Sequence, residues 1–391
     1  MVSNFLSSIE FQMSLLLFVS LAGYLIASKI NQSAVIGEII IGLIIGPSFL
    51  GLITYTDFVA SIAHIGAIIL LFVVGLEFRL KDIFNLKYSA IALVGVIVPW
   101  IGGFFVAKTF GYGFGPAIFV GTALTATSIA ITANVLREMG KLKTEAAKAI
   151  IGAAVIDDIL GLLALSFTQE IVNRSVSFSS IIFIAAKSIG FIAIGAFFGY
   201  KFLTKFIESI DKSKIAKKFP EFVFIFAIMI AFFYSMIAET IGLSAIVGSF
   251  LAGVCLEGVV IRHGKDYREG AEYLHIIFAS IFFVSLGILA DFHALTANII
   301  WFLIVLTIVA VLIKVIGCYI PSRLLRMNHK DSLAIGWGMS PRGEVAMIVA
   351  LIGLNSAIIG QGIYISIVLM SLLTTILTPI ILKNWIYKNS V

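Results

Sequence analysis

Thirteen apolar runs recur along the 391 residues, near 10–28, 35–53, 62–78, 88–110, 116–136, 149–168, 180–205, 222–241, 243–258, 273–290, 299–322, 331–354 and 363–382. Most are long enough to cross a bilayer as helices. Inside hydrocarbon every backbone N–H and C=O needs a partner within the protein, which leaves helices as the form such runs can take. The third and ninth runs are short. The chain is 60% hydrophobic and 12% charged, against about 25% charged residues in a soluble domain. It reads as an all-α polytopic membrane protein with 13 transmembrane helices.

Running the first helix from outside to inside leaves only Lys108 and Arg174 in outer loops, with Lys187, Lys314 and Arg342 inside runs. The other 22 of the 27 Lys and Arg residues (27 − 5) then lie in inner loops and the C-terminal tail. That bias supports both the count and an outside N-terminus with a cytoplasmic C-terminus. No Lys or Arg precedes the first run, which therefore reads as a spanning helix and not a cleavable signal. The net charge of +6 is dispersed among short loops, so no nucleic-acid partner is expected. Cys255 and Cys318 lie in apolar runs and read as small hydrophobes more than as a disulfide framework.

Thirteen is odd. One helix to spare suggests two inverted six-helix repeats, near 10–168 and 222–382, with a linker helix near 180–205. Gly75 and Gly287 lie 212 apart (287 − 75), as do Ser128 and Ser340 (340 − 128). Runs 5 and 12 are both interrupted by polar residues, and inverted repeats with paired broken helices point to a secondary transporter whose site lies at the midplane. The chain ends nine residues after its last run, so no soluble regulatory domain is expected.

Chemistry concentrates in the run Ala149–Thr168, whose only charges are the adjacent Asp157 and Asp158. A carboxylate at the centre of a membrane helix costs roughly 2.5–3.5 kcal/mol, so this pair needs a polar cavity, a proton or a cation. Neighbours on a helix point about 100° apart, so each aspartate can meet a different partner. Lys314, deep in IVAVLIKVIGCYI, is the natural partner for one of them, and such a pair can release a proton when a cation arrives. Thr122, Thr125, Thr127, Ser128 and Thr132 crowd GTALTATSIAITANV, where hydroxyls compete for backbone hydrogen bonds and ease local unwinding. Unwound carbonyls and hydroxyls suit a hard monovalent cation. Pro341 in GWGMSPRGEVAMIVALIG should break run 12, and Arg342 and Glu344 then fall within the span, to pair or to cap half-helix ends.

GEIIIGLIIGPSFLG, LLFVVGLEF, ATSIAIT, the Asp157-Asp158 pair, AETIGLSAIVGSFLAG, the Lys314 helix and SPRGE, in this order, resemble the monovalent cation:proton antiporter-2 family, in particular its short prokaryotic sodium/proton antiporters. The resemblance covers nearly the whole chain. It implies the sodium/proton antiporter fold, with a dimerisation and a core subdomain interleaved and two broken helices crossing beside the aspartates. Carried over residue by residue, it implies Asp158 as the main Na+- and proton-binding carboxylate and Asp157 as the one paired with Lys314. Thr127 and Ser128 would line the ion site, and Arg342 and Glu344 would belong to the second crossing helix. It also implies a homodimer in the cell membrane, surrounded by lipid, and the electrogenic branch that moves two protons per Na+. Na+ and H+ are then cargo, and no cofactor is expected.

The expected function is export of Na+, or Li+, in exchange for protons. A potassium or mixed-cation antiporter on the same scaffold is the alternative. An intramembrane aspartyl protease also needs two membrane aspartates, but facing each other from different helices. A passive channel suits a protonatable centre between broken helices less well than alternating access does.

Overall fold

The computed structural model describes residues 8–80, 87–172, 178–219, 221–259, 267–290, 292–293 and 296–388, with side chains for all of these except 170, 178–181, 215, 217 and 344. Arg174 therefore lies outside the described residues. Helix α1 spans Ile9–Lys29 and is started by Ser8, whose Oγ accepts from the Phe11 N–H at 3.3 Å. Helix α2 covers only Ala34–Ile45, although its apolar run continues to 53. Gly46 stands before Pro47 and is extended, which ends the helix. Helix α3, Asp57–Gly75, starts before its apolar run because Thr56 caps it, accepting from the Val59 N–H at 3.4 Å. The short third run thus lies in a helix of 19 residues, whereas the longer second run gives one of only 12.

Helix α4 is Lys87–Thr109, with Pro99 inside it. Run 5 divides into α5, Phe114–Ala123, and α6, Ile129–Glu138. Then come α7, Glu145–Val172, and α8, Phe178–Phe198, which passes through a π turn at Gly199–Leu203 into α9, Thr204–Asp211. The short α10, Lys214–Lys218, precedes α11, Phe222–Thr240, and α12, Ala245–Leu256. Helices α13, Tyr267–Ile288, and α14, Ala297–Leu324, follow. Run 12 divides into α15, His329–Gly338, and α16, Glu344–Asn355, before α17, Gln361–Ile381. Among the described residues nine helices are long and apolar enough to cross a membrane, and four apolar helices are shorter.

These helices pack as two bodies. Helices α1–α3 and α11–α13 form one, and α4–α7 with α14–α17 form the other. The first body is keyed together by glycines. A Cβ on Gly37 would strike the Gly23 carbonyl, and one on Gly248 would strike that of Tyr234. Likewise Gly42 meets the carbonyl of Val284, and Gly253 that of Phe72. The first pair of contacts repeats at an offset of 211 residues (248 − 37 and 234 − 23), and the second exchanges partners at 211 and 212 (253 − 42 and 284 − 72). Small residues that let backbones approach are the usual means of tight association in lipid, where no hydrophobic force separates helix from solvent.

Side chains make the seam between the bodies. His275 on α13 sits between Asn134 and Arg137 of α6, at 3.2 and 3.3 Å, and Arg137 also donates to Glu272. A cavity of about 1320 Å³, chiefly apolar, lies between α7, α8 and α12 and ends among Arg79, Lys205, Glu208 and Glu257.

Candidate functional site

Helices α5 and α6 separate where the sequence is richest in hydroxyls, and the stretch 124–128 crosses the stretch 339–343 between α15 and α16. Hydrogen bonds bind the two crossings directly. The Ser128 N–H donates to the Pro341 carbonyl at 2.9 Å, and the Thr132 hydroxyl to that of Gly338 at 2.6 Å. The Thr127 hydroxyl donates to the Met339 carbonyl at 3.4 Å. Arg342, fully buried, donates through Nη1 to the carbonyls of Ala126 at 2.6 Å and Thr125 at 3.3 Å. Each break thus supplies partners for backbone groups the other leaves free, which water cannot do at this depth. Helix α17 braces the second crossing: the Arg342 N–H donates to the Thr374 hydroxyl at 3.0 Å, and the Thr375 hydroxyl to the Arg342 carbonyl at 2.9 Å.

Helix α7 runs past this crossing and carries the aspartates. Asp157 is buried, with its Oδ1 3.1 Å and Oδ2 3.4 Å from Lys314 Nζ on α14. The same ammonium donates to the carbonyls of Gly95 at 2.7 Å and Thr125 at 3.0 Å, so its three N–H groups have three partners. Asp158 faces elsewhere. Its Oδ2 accepts from the Ser244 N–H at 3.3 Å, at the N-terminus of α12, where the helix dipole favours negative charge. With Thr127, Ser128, Ser244, Phe250 and Val345 it lines a cavity of about 20 Å³. That is room for one body the size of a water molecule.

The site therefore unites Asp157, Asp158, Thr127, Ser128, Lys314 and Arg342 within one crossing. Glu344 opens α16, but its side chain lies outside the described residues. Of the other hydroxyls in run 5, Thr122 turns away, bonding Thr168 at 2.6 Å and accepting from Trp100 at 3.2 Å. Thr125 bonds back to the Thr122 carbonyl at 2.7 Å. Sequence reasoning missed Ser244 and Gly95, which act through backbone atoms. The Gly-Leu-Ser turn at the start of the short ninth run was the available sign of a helix start there.

Comparison with known proteins gives the family and the fold. The family model described as sodium/hydrogen exchanger, transmembrane, matches residues 15–387. The chain is 34% identical over 377 residues to the Na(+)/H(+)-K(+) antiporter GerN of Bacillus cereus, covering 95% of each chain. It is 32% identical over 380 residues to a Na(+)/H(+) antiporter of Enterococcus hirae, covering 96% of this chain and 97% of that one. In fold it is similar to the sodium proton antiporter MjNhaP1 of Methanocaldococcus jannaschii, with a TM-score of 0.72 at 18% identity over 95% of this chain and 94% of that one. The chain belongs to the transmembrane sodium/hydrogen exchanger family, whose members are secondary transporters and not enzymes.

Proposed function

We propose that Na+ leaves the cell through the small cavity at Asp158 in exchange for two protons. The observation that carries this is the divergence of the two aspartates, one tied to a lysine and one facing the cavity. With the large cavity open inward, Na+ displaces a proton from Asp158 and another from the Asp157–Lys314 pair, and the body carrying α7 then moves against the other. Asp158 holds the Ser244 N–H across the seam, so loading this carboxylate and moving the bodies are linked. Two protons entering per Na+ expelled move one net charge inward, worth about 2.3 kcal/mol per 100 mV.

The chain is read as thirteen spanning segments in two inverted six-helix repeats, with α8 as the linker, the glycine-keyed body as the dimerisation subdomain and the other as the core. The recurrence of glycine contacts at offsets of 211 and 212 supports the repeats (248 − 37 and 284 − 72). Loop charge supports an outside N-terminus. The two-aspartate, lysine-bearing site supports assignment to the monovalent cation:proton antiporter-2 branch, acting as a homodimer in the cell membrane. Potassium is the second reading, favoured by the name of the relative GerN, a Na(+)/H(+)-K(+) antiporter.

Purified protein in liposomes, with and without a potassium/valinomycin clamp, tests this. Wild type should collapse a pH gradient on addition of Na+ and respond to voltage, and Asp158→Asn should do neither. Proton movement with K+ alone would replace the cargo. Proton movement with neither ion would end the exchange mechanism.

A further inference from the structure

In an α-helix the carbonyl of residue 95 accepts the N–H of residue 99. Residue 99 is proline, inside α4, and it has no N–H to give. The Gly95 carbonyl is buried in the bundle, where a group without a partner is costly. It receives the Lys314 ammonium at 2.7 Å, closer than either oxygen of Asp157, at 3.1 and 3.4 Å. The second carbonyl on this ammonium, Thr125, lies in the break after α5. Glycine at 95 also admits α14 to this distance. A Cβ there would lie 2.8 Å from Cys318 Sγ and 3.7 Å from Lys314 Nζ.

The nearest acceptor of the buried lysine is thus a neutral carbonyl that a proline has set free. We propose that Pro99 is a positioning residue. By freeing the Gly95 carbonyl it completes, with Thr125, a pair of acceptors for the two N–H groups that Lys314 keeps once its proton has left, so that Asp157 can be given up to Na+ without stranding a buried donor. The proposal rests on the reading that Na+ and Lys314 compete for Asp157. With the Gly95 carbonyl taken, only Thr125 remains for those two N–H groups, and Na+ binding at Asp157 is weakened.

Binding of radiolabelled Na+ to the purified, detergent-solubilised protein tests it, because it does not require turnover. In Pro99→Ala the new N–H competes for the Gly95 carbonyl, and Na+ affinity should fall by up to about tenfold, the worth of one buried hydrogen bond. Pro99→lactic acid replaces that N–H with an ester oxygen and should restore affinity. The Pro99→Ala effect should also vanish in a Lys314→Gln background, as a double-mutant cycle would read it. Equal losses in both backgrounds, or no rescue by the ester, would mean that Pro99 merely shapes α4, and the proposal would fall. Unchanged affinity in Pro99→Ala beside tighter binding in Lys314→Gln would overturn the role of Pro99 and leave the competition reading standing. Loss of Na+ binding in Lys314→Gln would overturn the competition reading itself.

Discussion

Arg342 Nη1 stands 2.6 Å from the carbonyl oxygen of Ala126, so a cation from one interrupted helix satisfies the loose chain end of the other. Thr125 accepts from both Arg342 and Lys314, which makes its carbonyl the point where the two charged side chains meet. Arg342→Met keeps the bulk and removes these donors. The Thr125 carbonyl keeps Lys314, but loss of the donor to the Ala126 carbonyl costs about 1–3 kcal/mol, so the thermal midpoint in detergent should fall, while Arg342→Lys should recover part of the loss. An unchanged midpoint in Arg342→Met would show that the crossing holds without the guanidinium.

Gly343 lies against Ser128 where the crossings touch. A Cβ at 343 would stand 2.5 Å from Ser128 Oγ and 2.6 Å from its Cβ. Gly343→Ala should therefore lower stability by about 1–3 kcal/mol, as overpacking does, and Ser128→Gly in the same chain should return most of it. Additive losses in the double variant would place the strain elsewhere.

Lys314→Gln should change the charge carried per cycle. If one of the two protons is released through the Asp157–Lys314 pair, exchange in the variant loses its response to an imposed potential, a drive of about 2.3 kcal/mol per 100 mV. Proton flux under a valinomycin clamp reads this directly. Voltage-sensitive flux identical to wild type would remove the lysine from the coupling.

Glu138 ends α6, two residues past its apolar run, and accepts from Asn134 Nδ2 at 3.0 Å. Burial is the main influence and raises its carboxyl above the ordinary 4.5, while Ser33, the Ala34 N–H, the charge of Lys383 and Asn134 pull it down. The folded chain then binds this proton more tightly than the unfolded one. The stability so gained is complete below 4.5 and is lost as pH rises through the folded value. Glu138→Gln abolishes that loss, so the thermal midpoint of the variant relative to wild type should climb with pH. A difference that stays flat from about pH 4 to 8 would contradict this assignment.

Much of the architecture was legible because lipid allows so few alternatives. Apolar runs located the helices, and the 100° step between neighbours was enough to send Asp157 and Asp158 to different partners. Helix ends were harder. Hydropathy carries the second run to 53, but Gly46 and Pro47 stop the helix at Ile45, and Thr56 starts α3 five residues before its apolar run near 62. Least legible were Ser244 and Gly95. Each contributes a main-chain atom, and whether that atom is free depends on where a neighbouring helix starts or which residue lacks an N–H four positions on.

Backbone laid directly on backbone, as Gly42 lies on Val284 and Gly253 on Phe72, has no side chain between to yield. Six helices joined this way should resist internal slip, as a stator does. Across the seam the partners are His275, Arg137 and the rim of Asp158, tethers that can lengthen, swap or let go. A chain built this way should be stiff within its parts and yielding between them, with cargo travelling by shear of one block along the other and little bending of either.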